Sequence, residues 1–296
     1  MNDGFVLYTV NPAESEKPEP RVDLCEMFAD SLGELSADMK KEVRGDFSNE
    51  LNELRAQSKR FMEKTAEVWE KAFAASDALY VIVKKSAQEY AACFAQMEQQ
   101  DKQSTFTALS TLHARALQEY LEIVTLVKNG FADGAFARWR SMYELYIIGS
   151  FIAKYGEETA AKFIEASESE DRYDWAMASG IFPEHKRHVT FNDIQKSCEV
   201  DTEVWRDDYT VANQTVHASP QGTFDSLGGT HSARSDYGIA APAVQSANTL
   251  ALITSMLLSV SPEYEAMSRM FIISQWLDII MDAYSQTHES LFGSED

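Results

Sequence analysis

Residues 47–72 read FSNELNELRAQSKRFMEKTAEVWEKA, and this stretch decides the fold class. Its apolar and small side chains recur at alternating spacings of four and three residues, with charged residues on either side. The recurring positions are Phe47, Leu51, Leu54, Ser58, Phe61, Thr65, Val68 and Ala72. Such spacing forms one stripe along an α-helix. The stretch therefore predicts a long amphipathic helix, which either docks on its own domain or serves as a dimerising arm.

Outward from this stretch the helical character continues. Residues 105–128 predict another helix, and the following Asn129-Gly130 suits a left-handed C-terminal cap. The other predicted helices cover about 79–97, 133–154, from 157 onward, from 201 or 202 to 218, 241–260 and 262–288. No strand–helix–strand alternation, glycine-rich phosphate loop or internal repeat occurs in the sequence. The pattern predicts an all-α helical bundle.

Three regions follow from the composition. Residues 1–31 begin with a β-prone run at 5–10 and a proline- and acid-rich stretch, and they predict a tail or linker. Residues 32–100 predict long amphipathic helices, which either pack on their own domain or form a homodimer or protein-partner arm. Residues 101–296 predict the bundle core. Within that core, the glycine-rich loop 219–239 has the length of a functional or mobile loop.

The charge balance limits the function. The chain has 296 residues, with 26 lysines and arginines against 47 aspartates and glutamates, for a formal net charge of -21. Phosphate backbones repel such a chain unless its few cations are concentrated in one place, so general coating of nucleic acid is disfavoured. Three widely spaced cysteines without a CxxC pair argue against a disulfide scaffold or structural zinc. Without a signal-peptide pattern or an uninterrupted apolar span, we expect a cytoplasmic protein with no membrane contact.

The first candidate site lies in residues 138–144, RWRSMYE. Arg140 and Glu144 are one helical turn apart and face the same way, which by itself predicts an ordinary intrahelical ion pair. The residues that follow are apolar nearly all round the helix, so this helix should be buried. Charges on a buried helix must be paired or must line a cleft, and Arg140 and Glu144 are therefore candidates for a functional role.

The second candidate site lies in residues 205–219, WRDDYTVANQTVHAS. Trp205, Tyr209, Asn213 and His217 recur every four residues and form one helical stripe. His217 falls at the end of the predicted helix, where an imidazole can act as general acid or base or can simply bond the chain terminus. Ser219 precedes a proline and is first of all a helix stop.

The remaining histidines and loop cations have no metal-ligand spacing, so we expect no metal and no cofactor. His231 and Arg234 lie in the glycine-rich loop, and residues 185–188 form a cationic connection. Together with Arg140, His231 and Arg234 leave open the recognition of a nucleotide or another small anion at the loop 219–239.

Two motifs carry a family resemblance. Residues 129–144, NGFADGAFARWRSMYE, and residues 209–219, YTVANQTVHAS, resemble a bacterial family known as domain of unknown function 5677, over roughly residues 105–290. That family is similar in outline to the HEPN helical bundles, many of which are metal-independent ribonucleases of toxin–antitoxin and phage-defence systems. The HEPN signature is an arginine, four to six intervening residues and a histidine on one helix. Here Thr210, Val211 and Ala212 occupy the positions where that arginine would stand before His217.

The resemblance implies a HEPN-like effector that cleaves RNA without a metal ion. His217 would be the general base, Arg140 the phosphate-stabilising cation, and Glu144 and Asn213 the orienting groups. The remaining candidates, as substrate-binding residues, are Tyr209, Arg206, Ser219 and Arg234. The missing arginine favours an alternative in which the chain is a non-catalytic binding or regulatory module that acts through its N-terminal helices.

Overall fold

The structure is a computed structural model that describes residues 37–97, 100–168, 172–183, 185–198, 200–201, 203–217, 220–224, 234–261 and 264–293. These residues form ten α-helices: α1 (Ala37–Val68), α2 (Glu70–Phe94), α3 (Gln103–Lys128), α4 (Ala132–Tyr155), α5 (Glu157–Glu165), α6 (Phe191–Ser197), α7 (Arg206–Val216), α8 (Pro220–Phe224), α9 (Ala240–Leu258) and α10 (Tyr264–Phe292). Short 3-10 turns cover Gln100–Lys102, Ala166–Glu168 and Asp174–Ser179. No strand occurs in this part of the chain, so the predicted all-α class is confirmed.

The chain divides between Lys59 and Arg60 into two compact units. In the described residues, the first unit consists of the N-terminal part of α1. The second unit contains the end of α1 and all the later helices. The predicted edge strand at residues 5–10 and the predicted tail at 1–31 lie outside the described residues.

The second unit does not divide at residue 100, where the sequence predicts the boundary between the N-terminal helices and the core. Leu79, Val83 and Tyr90 on α2 are buried in one core with the later helices, because α2 packs against α3, α9 and α10. The apolar face of α2 is therefore covered within the chain. A role of α1 in contacting a partner or a second copy stays a prediction.

Helix α4 lies at the centre of the second unit, where it contacts α3, α5, α6, α7 and α9. It is apolar nearly all round, as a helix covered on most sides must be. Its fully buried side chains are Phe136, Trp139, Met142, Tyr143, Ile147, Phe151 and Ile152. A Cβ atom at Gly149 would lie 3.0 Å from the Met256 Cε atom, so the missing side chain allows α9 to approach closely.

Several polar side chains inside the core form hydrogen bonds between helices. Trp139 Nε1 donates to Thr249 Oγ1 at 2.9 Å, which joins α4 to α9. The Tyr120 hydroxyl donates to the Ser76 carbonyl oxygen at 3.1 Å. The Ser76 and Tyr284 hydroxyls are 3.0 Å apart. Because a buried polar group without a partner costs about 1–3 kcal/mol, these bonds favour one arrangement of α2, α3 and α10.

Local signals explain several helix ends. Gly130 has φ +74°, which confirms the predicted left-handed cap after α3. Glu157, the first residue of α5, accepts hydrogen bonds from the backbone N–H groups of Ser104 and Thr105, at 2.6 and 2.9 Å, and so caps the start of α3. Partial burial of Glu157 works to raise its pKa, but these bonds lower the pKa below its ordinary value. Thr190 and Asp193 form a capping box at the start of α6.

In the described chain, no helix is long and apolar enough to cross a bilayer. Cys93 and Cys198 are half-buried free thiols. The third cysteine, Cys25, lies outside the described residues.

Candidate functional site

The candidate site forms where α4 packs against α7 and the loop that contains Arg172. Arg140 Nη2 lies 3.0 Å from Glu144 Oε1, so the predicted one-turn ion pair is present. The other oxygen, Glu144 Oε2, lies 3.9 Å from Arg172 Nη2. Two guanidinium groups therefore share one carboxylate, which leaves a local charge of about +1 in a chain of net charge -21.

Arg140 keeps donor capacity for a further acceptor. Its side chain is 27% exposed, and its buried Nε atom has no hydrogen-bond partner. A guanidinium presents five N–H donors in a fixed fork that matches carboxylate and phosphate oxygens. Arg172 is more open, with 76% of its side chain exposed.

Aromatic rings lie beside both arginines. The Arg140 guanidinium carbon is 5.7 Å from the ring centre of Tyr209, and that of Arg172 is 5.2 Å from the ring centre of Tyr173. Phe191 connects the two tyrosines, at 6.2 Å from Tyr173 and 6.5 Å from Tyr209. Burial raises the pKa of Tyr173, so its phenol stays neutral at pH 7. We call Arg140, Glu144, Arg172, Tyr173 and Tyr209 the arginine–tyrosine cluster.

Aromatic packing fixes α7 on α4. The ring of Trp205 is 6.0 Å from Trp139 and 6.1 Å from Tyr143, and Tyr209 is 4.9 Å from Tyr143. Burial raises the pKa of Tyr143 to about 12, even though Gln195 donates a 2.9 Å hydrogen bond to its hydroxyl. The first half of the predicted four-residue stripe is therefore packing surface, and it holds Tyr209 against Arg140.

A cavity of about 270 Å³ lies on the outer side of Tyr209. Its polar lining includes Lys196, Arg206 and Thr210. Arg206 is paired with Glu203 and lies 3.7 Å from Asp207, and Thr210 donates to the Arg206 carbonyl oxygen at 2.8 Å. Arg206 lies one turn before the first position where the HEPN signature would have its arginine, and its charge is balanced by these two acidic residues.

The second half of the stripe diverges from the cluster. His217 is exposed at the C-terminal end of α7, and its backbone N–H bonds the Asn213 carbonyl oxygen at 3.1 Å. Among the described residues, no hydrogen bond, ion pair or ring contact joins His217 to Arg140, Glu144 or Arg206. The sequence therefore identified a cation and an imidazole on adjoining helices, but the chain does not bring them into contact. Ser219 lies outside the described residues.

Arg234 belongs to a different place in the fold. It donates to the carbonyl and side-chain oxygens of Asn129, both at 3.0 Å, and its guanidinium carbon is 4.7 Å from the ring centre of Phe131. These bonds satisfy carbonyl oxygen at the end of α3, so this arginine serves as a helix cap from the loop. His231, the other loop candidate, lies outside the described residues.

A second charged group, which the sequence did not indicate, lies between α3 and α4. Glu119 is fully buried, and its Oε1 atom lies 3.0 Å from Arg115 Nε, 3.5 Å from Arg138 Nη2 and 3.0 Å from the Ser141 hydroxyl. The Oε2 atom has no hydrogen-bond partner. The four-residue spacing of Arg115 and Glu119 was readable in the sequence, but the burial of Glu119 depends on α4.

The fold and the site together define an all-α bundle with an arginine-rich, aromatic-lined surface site. No group of three or more His, Cys, Asp or Glu in the described residues is arranged to hold a metal ion. The chain matches a protein family described as "Family of unknown function (DUF5677)" over residues 106–175, which confirms the predicted resemblance for that segment. The match spans most of α3, all of α4 and Arg172, and ends before α7. No curated protein and no solved structure matches the chain.

Proposed function

We propose that the chain is a helical effector that binds the phosphate group of a nucleotide or of RNA at the arginine–tyrosine cluster. The observation that carries the proposal is the single carboxylate of Glu144 between the guanidinium groups of Arg140 and Arg172. The excess positive charge favours an anion, and the partly exposed Arg140 and the largely exposed Arg172 present guanidinium donors to it. Tyr173, Phe191 and Tyr209 supply rings on which a base can stack.

The test measures binding of ATP and of a 12-nucleotide single-stranded RNA to the full chain by fluorescence anisotropy and calorimetry. Arg172→Ala should weaken binding about tenfold or more, since a hydrogen bond to a charged group contributes about 1.5–3 kcal/mol. Arg172 is largely exposed, so its loss should leave the fold intact. Binding of ATP would identify a mononucleotide site, whereas binding of RNA alone would identify a polymer site.

Arg187→Ala is the matched control, because Arg187 is also an exposed arginine in the connection between α5 and α6. It should leave both affinities unchanged. Equal losses in the two variants would mean that binding reflects overall charge. In that case, or if neither ligand binds, the phosphate-binding proposal is wrong.

The second candidate function is metal-independent cleavage of RNA, of the kind that HEPN ribonucleases perform in phage-defence and toxin–antitoxin systems. Supporting it is the position of His217 on the same helix as Tyr209, about 12 Å further along the axis, with an exposed ring. One RNA strand could then contact the cluster and His217 together. His217 would remove a ribose 2′-hydroxyl proton, and the oxygen would attack the adjacent phosphorus. The 5′-oxygen leaves and takes up a proton, giving a 2′,3′-cyclic phosphate and a 5′-hydroxyl.

Cleavage is tested by incubating labelled single-stranded RNA with the full chain in EDTA. His217→Ala should abolish the cyclic-phosphate product, and Gln214→Ala, one turn earlier on α7, should not. RNA binding should persist in His217→Ala, because the cluster is unchanged. No product from either protein would leave phosphate binding without catalysis, and equal cleavage by the wild type and His217→Ala would show that His217 is not the general base.

A further inference from the structure

Helix α10 exposes a row of large apolar side chains. Phe271 is 65% exposed, Met267 is 60% exposed, and Ile272 and Ile279 are each about half exposed. Met267 and Phe271 form one line along the helix, and Ile272 and Ile279 form a second line about a third of a turn away. All four lie on the side of α10 opposite its buried residues. From Met267 to Ile279 the row is about 18 Å long.

The inner side of the same helix already performs the packing that the fold needs. Ala266, Ile273, Ile280 and Tyr284 are buried against α2 and α9. Trp276 Nε1 also donates to the Ala75 carbonyl oxygen of α2 at 2.8 Å. Among the described residues, α10 packs on the unit through this inner side, and the outer row is left exposed. Adjacent exposed apolar side chains of this size are typical of an interaction surface.

The exposed charged residues of α10 are all acidic. Asp278 and Asp282 are exposed and continue the line of Met267 and Phe271 at helical spacing, and Glu265 and Glu289 lie towards the two ends of the helix. The helix has a single arginine, Arg269, and that residue is paired with Glu89 of α2. The outer face of α10 is therefore apolar and acidic.

This charge pattern indicates which kind of partner the outer face of α10 can bind. A second copy of this chain would place Asp278 and Asp282 against another acidic face with no basic residue to receive them. An anionic lipid surface or a nucleic acid would be repelled for the same reason. A helix with an apolar stripe flanked by lysines or arginines would cover Met267, Phe271, Ile272 and Ile279 and pair with both aspartates.

We propose that the outer face of α10 is a docking surface for a basic amphipathic helix of a partner protein. The apolar row supplies the buried part of the contact, with Phe271 as its central anchor. Asp278 and Asp282 fix the orientation and speed the association. This inference is independent of the arginine–tyrosine cluster, whose charge has the opposite sign.

The experiment uses the full chain and an 18-residue peptide labelled with fluorescein. The peptide has leucine along one helical stripe, at spacings i, i+3, i+4 and i+7, and lysine at all other positions. Anisotropy should show saturable binding that weakens at least tenfold in Phe271→Ser. Asp278→Asn combined with Asp282→Asn should weaken binding and reduce its dependence on salt. A peptide with glutamate in place of lysine should not bind.

Val81→Ser is the matched control, because Val81 is a single apolar side chain, 60% exposed, on α2. It should bind the lysine peptide as the wild type does. Circular dichroism of every variant checks that the helices persist. Equal binding by Phe271→Ser and wild type, or equal binding of both peptides, overturns the proposal. So does concentration-dependent dimerisation, or binding to phosphatidylserine vesicles, that is lost in Phe271→Ser.

Discussion

The Glu119 side chain shows how much one residue depends on its surroundings. A carboxylate that is fully removed from water loses several kcal/mol of solvation, which must be offset by cations and hydrogen bonds. Arg115, Arg138 and the Ser141 hydroxyl supply that compensation at a single oxygen atom. Arg138 of α4 also lies 2.5 Å from Glu122 of α3, whose side chain is 40% exposed. The four charges form a network that joins α3 to α4.

Glu119→Gln should lower the free energy of unfolding by about 3 kcal/mol, because it removes the buried member of this network while keeping the shape. Glu122→Gln is the matched control: it is on the same helix, contacts the same arginine and is 40% exposed. Its effect should stay below about 1 kcal/mol. Urea unfolding of both variants measures the change in the free energy of unfolding. Equal changes would contradict the prediction, because the buried Glu119 would then contribute no more to stability than the exposed Glu122.

At the scale of single residues, spacing predicts contacts within one helix but not between distant segments. The pair Arg140–Glu144 follows from a separation of one turn, and the structure contains it. Arg172 reaches the same carboxylate from 28 residues further along the chain, and nothing local in the sequence indicates that approach. His217 shows a second limit. Its four-residue spacing from Tyr209 and Trp205 is regular, yet these two residues pack against α4 whereas His217 is exposed.

At the scale of helices, prediction succeeded where the signal lies within one turn. The end of α3 is fixed by Gly130, which can adopt a positive φ because it has no Cβ atom. The last two helices were also predicted within a few residues. Helix α4 was predicted from about residue 133, and it begins at Ala132 with Phe131 at the cap position, so Asp133 lies in its first turn. Similarly, α7 begins at Arg206 instead of residue 201 or 202, and Trp205, directly before it, packs against Trp139 of α4.

At the scale of the whole molecule, the net charge of -21 conceals local differences. The segment from Arg172 to Arg206 has five lysines and arginines against six acidic residues, whereas the stretch after Arg234 has one arginine. Composition alone argued against general coating of nucleic acid, but it could not show that two arginines share one carboxylate. Nor could it show that the acidic C-terminal helix is apolar on its outer side. Those features depend on which faces the bundle leaves uncovered.

The stability of the whole molecule should depend on one buried histidine. His113 on α3 is almost fully buried, with Nε2 at 3.1 Å from the Thr254 hydroxyl of α9, and burial lowers its pKa from 6.5 to about 4. As the pH falls from about 6.5 to 4, His113 becomes protonated in the unfolded chain but stays neutral in the folded chain. Stability should fall by up to about 3 kcal/mol over this interval.

His113→Gln should remove most of this slope, because glutamine can bond Thr254 without titrating. His185→Gln, at an exposed histidine, should keep it. Denaturant unfolding at several pH values between 4 and 7 measures the effect. Below about pH 4, Asp174, Asp193 and Glu157 give a further loss in all variants, because their folded-state pKa values are lowered and their protonation favours unfolding. A slope between pH 4 and 6.5 that is unchanged in His113→Gln would show that His113 accepts its proton without unfolding.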